Sequence, residues 1–204
     1  QQLIRRMWQM YDLTQQQDAD FAPDVQVYNV WIHAIAKSKA GGAAAEAVLA
    51  EMSDKGIRPN SVSYTSVMDA YANQARIDPT APSQAERVLF ELIAQSEGDS
   101  SLTVTGVTAD VVLNAWAQVG TWTSAERAQD ILNRLEAMAI PSLRPTVHSY
   151  GTVIHAWANA AAKEAKGAND GVEAAQQAER ILTSLVRGEK EGVTPDTVVF
   201  NAVI

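Results

Sequence analysis

The feature that most constrains this fold is a short pattern that recurs along the chain. Each copy places an aromatic residue before a polar or small residue, then apolar residues, then Ala-x-Ala or a close variant. The copies read YNVWIHAIA, YTSVMDAYA, ADVVLNAWA, YGTVIHAWA and a truncated FNAVI, in segments that begin near Val25, Ser61, Gly106, Val147 and Thr197. The third copy lacks its aromatic. Apolar residues fall three and four apart, as in Tyr28, Ile32 and Ile35, which predicts one face of a helix in each copy.

A second apolar signature follows each complete copy, as in Val48-Leu49-x-x-Met52. Ser83-x-x-Glu86 and Thr123-x-x-Glu126 precede two of these signatures and resemble capping boxes, while KGIRPN, PSLRP and EGVTPD follow three of them as helix breakers. Each unit is therefore two antiparallel helices and a turn. Because such a hairpin cannot bury its apolar face alone, the sequence predicts an all-α fold, an α-solenoid of stacked hairpins.

The patterns also predict where each unit begins and ends. Residues 1–24 are the second helix of a truncated repeat, 25–60 a repeat, 61–105 a repeat with insertions, 106–146 a repeat, 147–196 a repeat with an insertion, and 197–204 the start of a further repeat. The start-to-start spacings of the units are 36, 45, 41 and 50 residues. We assign the additional residues of the longer units to loops, where insertions cost little entropy. Both ends of the sequence fall within the pattern, so we expect a window of a longer chain, with any targeting peptide outside it.

Composition excludes several classes of function. The absence of cysteine excludes disulfides, thiolate zinc sites and thiol nucleophiles. With 24 acidic and 16 basic residues, the net charge of -8 opposes unspecific attraction to phosphate or to anionic lipid. No run approaches the roughly 18 apolar residues of a membrane span. No phosphate loop or Ser-His-Asp order stands out, so we predict neither an enzyme nor a cofactor.

Histidine spacing invites a metal interpretation, which the repeat pattern argues against. His148 and His155 lie seven residues apart, and His33 occupies the same repeat position as His155. Asp69 and Asn114 fill that position in the other copies, so the position requires a polar group rather than an imidazole. Zinc needs three or four convergent ligands, whereas a solenoid holds equivalent side chains about one helix pair apart. The sequence therefore predicts no metal site.

Tryptophans and Glu-Arg pairs have structural interpretations as well. The helical spacing of Trp31, Trp116 and Trp157 predicts packing residues rather than platforms for base stacking. Trp122 sits in what the pattern indicates is a short turn, so we expect it to be exposed. The pairs Glu86-Arg87, Glu126-Arg127 and Glu179-Arg180 open second helices, which favours roles in helix-dipole compensation and solubility.

One stretch of sequence identifies a family resemblance. PDVQVYNVWIHAIAKS leads into AVLAEMSDKGIRPN and then SVSYTSVMDAYAN, whereas the Trp-x-x-Leu-Gly-x-x-Tyr run of a tetratricopeptide repeat is absent. The chain resembles the pentatricopeptide repeat proteins, closely over residues 25–60 and with insertions over 61–196. The resemblance implies a right-handed superhelix and a protein of the mitochondrion or chloroplast. It also implies binding of single-stranded RNA, about one base per repeat, read by two or three side chains.

The resemblance assigns roles to individual residues. The residue after the tyrosine and the last residue of the repeat read the base, and the residue two before the tyrosine wedges between bases. Carried over, the reading pairs with their wedges are Asn29 and Asn60 with Gln26, Thr65 and Thr105 with Val62, Asp110 and Thr146 with Val107, and Gly151 and Asp196 with His148; Asn201 and Val198 begin a further repeat. The first pair suits a pyrimidine and Thr65 suits a purine, while the last two pairs resemble no usual combination.

The phosphate-binding position and the net charge leave two functions open. Lys37 fills the family's lysine position near the end of the first helix, but Asn73, Gln118 and Asn159 replace it elsewhere. The leading hypothesis is modular RNA binding in organellar RNA metabolism: processing, stability or translation. The alternative is a protein-interaction scaffold, such as a component of an organellar ribosome or another large assembly, which the acidic charge and the lost lysines favour. An enzyme would need a domain outside this window.

Overall fold

The computed structural model describes residues 23–38, 41–164, 170–190 and 192–201, together with Arg6 and Gln9. The described elements are α1 (Val25–Ala36), α2 (Gly41–Asp54), α3 (Ser61–Ala72), α4 (Ala81–Gly98), α5 (Gly106–Val119), α6 (Trp122–Met138), a 3₁₀ turn (Pro141–Leu143), α7 (Val147–Glu164), α8 (Asp170–Val186) and α9 (Thr197–Asn201). The helix predicted within residues 1–24 lies outside the described residues apart from Arg6 and Gln9. The described part of the chain is all-helical.

The helices pack in chain order as hairpins. Each odd-numbered helix from α1 to α7 contacts the even-numbered helix after it, and it also contacts the next odd-numbered helix. The even helices α2, α4 and α6 contact the odd helix that follows them. We call α1–α2, α3–α4, α5–α6 and α7–α8 hairpins 1 to 4. The solenoid predicted from the repeated pattern is confirmed, and its odd helices form one continuous row.

Equivalent positions build the core of successive hairpins. Tyr28 and Ile32 of α1 are fully buried, as is Ile154 of α7, which occupies the position of Ile32. Alanine lies three residues before the apolar signature of each even helix and is buried in all four, where its small side chain lets the helices approach closely: Ala45, Ala85, Ala128 and Ala178. These repeated contacts fill the interior along the whole row, so each hairpin buries its apolar stripe against its neighbours.

A glycine contact fixes the distance between hairpins 1 and 2. A Cβ on Gly42 would lie 2.1 Å from the Tyr71 ring, so no larger residue fits without displacing that ring. The Gly42 amide also donates to the side-chain oxygen of Gln74 at 2.9 Å. The missing side chain at the start of α2 therefore lets the end of α3 pack directly on its backbone.

Two helix starts differ from the sequence prediction. At α4, Thr80 is the N-cap without a side-chain cap bond, and Ser83 donates to the Thr80 carbonyl instead of pairing with Glu86. At α6, the capping box joins Thr121 and Ser124, two residues before the predicted Thr123. The predicted boxes at Ser83 and Thr123 are therefore wrong, because each helix begins two or three residues earlier than the motif indicated.

Tryptophan packing matches the prediction at three positions and corrects it at a fourth. Trp157 is buried, and Trp31 and Trp116 pack against the core while half-buried. Trp122 is not an exposed turn residue. It is the first residue of α6, and its ring meets that of Trp157 edge to face, with 4.9 Å between centroids. This edge-to-face pair joins α6 of hairpin 3 to α7 of hairpin 4.

Glu-Arg pairs connect successive even helices. Arg87 of α4 bonds Glu46 of α2 at 2.5 Å, and Arg127 of α6 bonds both carboxylate oxygens of Glu86 of α4 at 2.9 and 2.5 Å. Glu86 is only 5% exposed, so its charge depends on that partner. The prediction of helix-dipole and solubility roles is therefore wrong for Glu86, Arg87 and Arg127, which instead join neighbouring hairpins. For Glu126 and for the pair Glu179-Arg180 it stays a prediction. None of the described helices is long and apolar enough to cross a lipid bilayer.

Candidate nucleic-acid interface

The row of odd helices brings the proposed reading residues together in pairs. Asn29, Thr65, Asp110 and Gly151 lie near the starts of α1, α3, α5 and α7, and Asn60, Thr105, Thr146 and Asp196 each directly precede the next odd helix. Because each odd helix packs on the next one, the N-cap of one helix lies beside the second turn of the helix before it. We call the side of the odd helices that carries these residues the reading face.

In hairpin 1 the two proposed reading residues are hydrogen-bonded to each other. The Asn29 Nδ2 donates to Asn60 Oδ1 at 3.2 Å. Asn60 is the N-cap of α3, and the same Oδ1 accepts from the backbone amides of Val62 and Ser63 at 3.1 Å each. The Ser63 hydroxyl then donates to Asn29 Oδ1 at 2.6 Å. Helix capping thus places both amides in one half-buried cluster.

Hairpin 3 holds a similar cluster with a carboxylate in place of the first amide. Ser149 of α7 donates to Asp110 Oδ1 at 2.6 Å, and its Oγ lies 3.3 Å from the Thr146 hydroxyl. Burial raises the pKa of Asp110, and the Ser149 hydrogen bond and the nearby His148 oppose part of that rise. Hairpins 1 and 3 therefore share one geometry around chemically different reading residues.

Hairpins 2 and 4 lack this connection. The Thr65 hydroxyl donates to the Ser61 carbonyl at 2.8 Å within its own helix, while Thr105 lies near Thr108, with 3.4 Å between hydroxyl oxygens. In hairpin 4, Gly151 has no side chain, and a Cβ built there would lie 3.2 Å from a Val199 methyl group. Among the described contacts, no hydrogen bond joins the predicted pair in hairpin 2 or in hairpin 4, although Gly151 and Asp196 of hairpin 4 line the same groove.

The reading face has an open groove at hairpin 4. Its volume is about 420 Å³, and the proposed residues His148, Gly151, Asp196 and Asn201 line it together with Asn114 and His155. The groove brings the proposed wedge residue His148 together with the proposed reading residues Gly151 and Asp196. The described residues contain no group of three or more His, Cys, Asp or Glu side chains suited to hold a metal ion.

The proposed wedge residues are all solvent-exposed where their side chains are described. Val62 is 57% and Val107 73% exposed, although both are apolar, and Gln26 and His148 are exposed as well. The side chain of Val198 lies outside the described residues. Two exposed valines at one repeat position next to the reading residues give flat apolar contacts that a base plane could cover.

The amides that replace the family's lysine have a structural role. Asn73 donates to the carbonyl of Ala36 at 3.0 Å, and Asn159 donates to the carbonyl of Ala117 at 3.3 Å. Each bond joins one odd helix to the last turn of the previous one and satisfies a terminal carbonyl. Lys37, by contrast, is exposed at the end of α1. The loss of lysine thus strengthens contacts between helices and removes cations from the reading face.

Carboxylates offset the cations on the reading face. Asp69 lies close to Lys37 and His33, whose charges lower its pKa, but burial is the larger effect and raises the pKa of Asp69 above its ordinary value. Asp110 and Asp196 add two further carboxyl groups along the same row. A strand of RNA on this face would therefore depend on base contacts more than on phosphate neutralisation.

Sequence reasoning missed Ser63 and Ser149 as members of the site. Both are the third residue of an odd helix, and both are buried, with 0% and 2% exposure. Their spacing of three residues after Asn60 and Thr146 was visible in the sequence as a capping signal. Their contacts to Asn29 and Asp110 span 34 and 39 residues, so only the packing of one odd helix on the next reveals them.

Comparison with known proteins supports the resemblance. Among curated proteins, no sequence matches the chain. The model of the PPR repeat family matches residues 23–73, which include α1, α2 and α3 with the Asn29–Asn60 pair. Such a repeat indicates an RNA-binding repeat protein. The matched stretch and the hairpin solenoid around it confirm the resemblance, and residues 23–73 carry a repeat of the PPR family.

Proposed function

We propose that this chain binds single-stranded RNA along its reading face, about one base per hairpin, and acts in organellar RNA metabolism. In this proposal the repeats are residues 25–60, 61–105, 106–146 and 147–196, with further repeat segments at 1–24 and 197–204. The chain supplies recognition, and any reaction on the RNA belongs to partner proteins. The proposed location is the mitochondrion or the chloroplast, as in the family that it resembles.

The hydrogen-bonded pair of Asn29 and Asn60 is the observation that supports this proposal best. Two amides in contact, half-buried and open to one side, can meet the Watson–Crick edge of a base that lies on the reading face. The exposed wedge position beside them, Gln26 in hairpin 1 and Val62 in hairpin 2, covers the base plane. The proposed partner of this pair is a pyrimidine.

Selection from a random pool of single-stranded RNA at physiological salt tests the proposal. The wild-type chain should enrich a short motif with a pyrimidine at one position. Asn29→Ala should lose the preference at that position and keep the rest of the motif. Asn133→Ala is the matched control, because Asn133 is an exposed asparagine on the even helix α6, where it bonds Gln129 and touches no reading residue.

Two outcomes would contradict the proposal. An unchanged motif in Asn29→Ala would exclude Asn29 as a reading residue. Failure to retain any RNA, even at low ionic strength, would exclude RNA binding by this stretch of chain.

The second candidate is a protein-interaction scaffold, for example within an organellar ribosome. The observation that favours it is the use of Asn73 and Asn159 to bond neighbouring helices at the position where the family has lysine. Together with the net charge of -8, these bonds leave little counterion release to drive RNA binding. If the chain retains no RNA at low ionic strength, the scaffold function becomes the better explanation.

A further inference from the structure

Two buried serines contact the reading residues of the hairpin before their own. Ser63 of α3 donates to Asn29 of α1, and Ser149 of α7 donates to Asp110 of α5, both at 2.6 Å. Each serine oxygen also accepts from the backbone amide of the residue before its helix, Asn60 at 3.1 Å and Thr146 at 3.0 Å. In both places, a serine at the third position of an odd helix bonds the start of its own helix and a reading side chain of the preceding hairpin.

Backbone donors determine how the amides of hairpin 1 are oriented. A backbone N–H can only donate, so the Asn60 atom that receives the amides of Val62 and Ser63 is its Oδ1. Because that atom is an acceptor, the Asn29 atom beside it is the donor Nδ2. The opposite side of the Asn29 amide is then Oδ1, and it receives the Ser63 hydroxyl. Removing Ser63 removes the bond that holds this side of the amide.

This orientation decides which groups hairpin 1 offers to a base. Asn60 Oδ1 already accepts from Asn29, Val62 and Ser63, so its capacity is used within the protein. The hydrogens left over belong to the Nδ2 atoms of Asn29 and Asn60. A base with two neighbouring acceptors, such as N3 and O2 of cytosine, matches these donors.

Hairpin 3 has the same serine and the opposite polarity. Asp110 is a carboxylate when ionised and can only accept hydrogen bonds. Ser149 occupies one side of it at Oδ1, which leaves Oδ2 for a ligand. A base with N–H donors on its edge, such as N1–H and N2–H of guanine, matches this acceptor.

The other hairpins show that capping alone does not produce the link. Thr108 occupies the serine position after hairpin 2 and pairs with Thr105, while Thr65 bonds within its own helix. Val199 occupies it after hairpin 4 and has no hydroxyl, although its backbone amide still donates to Asp196 at 3.0 Å. The contact from serine to reading residue is therefore a separate feature of hairpins 1 and 3.

We propose that Ser63 and Ser149 are positioning residues that hold the reading side chain of the preceding hairpin, so that hairpin 1 offers N–H donors to a base and hairpin 3 offers a carboxylate acceptor. The proposal rests on the RNA-binding function proposed above and deepens it. It predicts that the two hairpins select bases of opposite hydrogen-bonding polarity.

The test compares Ser63→Ala, Ser149→Ala and a control in the full chain. Binding is measured to RNAs that carry each of the four bases at the position of hairpin 1 or hairpin 3. Ser63→Ala should reduce base discrimination at hairpin 1 alone by about three- to ten-fold, as expected for one lost hydrogen bond, and Ser149→Ala should do so at hairpin 3 alone. Ser63→Thr should keep the wild-type discrimination, since threonine retains the hydroxyl that donates to Asn29.

Ser124→Ala separates positioning from capping. Ser124 is a buried serine in the capping box of α6, bonded to Thr121, and it touches no reading residue. Its loss should lower thermal stability about as much as Ser63→Ala does and leave base discrimination unchanged. Equal loss of discrimination in Ser124→Ala would overturn the positioning role.

A second measurement judges the positioning role without RNA. The two side-chain N–H protons of Asn29 should differ more in NMR chemical shift in the free protein than those of an exposed asparagine do, because only one of them is bonded to Asn60. In Ser63→Ala this difference should shrink towards that of an exposed asparagine as the amide reorients. Unchanged signals would overturn the positioning role. Failure of all variants and the wild type to bind RNA would instead overturn the RNA-binding function.

Discussion

Hairpins 1 and 4 use the same core and different reading faces. Tyr28 and Ile32 of α1 have buried counterparts in Tyr150 and Ile154 of α7. On the reading face, Asn29 bonds Asn60 and Ser63. The equivalent Gly151 has no side chain to bond, and it lines an open groove beside Val199. Packing positions of a solenoid are constrained by both neighbouring hairpins, while a reading position is constrained by a single N-cap and the residues beside it. The reading face can therefore change from hairpin to hairpin without altering the core.

The largest expected effect tests whether the two cores are equivalent. Ile32→Ala and Ile154→Ala each remove a fully buried side chain, so each should lower the free energy of unfolding by about 2–5 kcal/mol. Urea unfolding followed by circular dichroism measures both. Val107→Ala is the control at an exposed position and should change the free energy of unfolding little. A marked effect in one hairpin and none in the other would break the comparison.

A smaller effect tests whether the reading faces differ only by their side chains. Gly151→Asn combined with Val199→Ser should give hairpin 4 the cluster of hairpin 1, because Asp196 already accepts from the backbone amide of residue 199. Val199→Ser also removes the methyl group that a Cβ at residue 151 would approach. We expect a new pyrimidine preference of about 1 kcal/mol at this position, measured by RNA binding.

The single change Gly151→Asn is the control for that variant. It leaves the Val199 methyl in place and supplies no hydroxyl, so it should gain less base preference than the double variant. Equal preference in both would show that the serine is not needed.

The smallest effect concerns pH and compares the amide of hairpin 1 with the carboxylate of hairpin 3. Burial raises the pKa of Asp110, so the folded protein binds that proton more tightly than the unfolded chain does. The stability that the group contributes is fully present below the ordinary pKa of aspartate and declines as the pH rises through the raised folded value. Asp110→Asn should remove this decline, and Asn29→Asp should introduce a similar one in hairpin 1.

Unfolding by urea at several pH values measures the effect. The gain in free energy of unfolding of Asp110→Asn over wild type should be larger at neutral than at acidic pH. The reverse order would contradict the burial of the Asp110 carboxyl.

The sequence predicted the solenoid because its repeated apolar spacing reports packing that every hairpin shares. It misplaced the capping boxes at Ser83 and Thr123, since a cap depends on where the helix begins and the motif alone leaves a choice of two or three residues. It assigned Glu86 a local role because the partner, Arg127, lies 41 residues away. Ser63 and Ser149 were missed for the same reason. Contacts between hairpins depend on how closely and at what angle helices cross, which the apolar pattern does not specify.

The even helices and the odd helices are joined to their neighbours by different kinds of contact. Glu46–Arg87 and Glu86–Arg127 join the even side through ion pairs, and added salt weakens Glu46–Arg87 in particular, because both of its side chains are partly exposed. Asn73 and Asn159 join the odd side through amide-to-carbonyl bonds, which depend little on salt. Ionic strength therefore acts on one side of the array more than on the other. We expect the bend of the array, and with it the spacing between successive base sites, to respond to ionic strength.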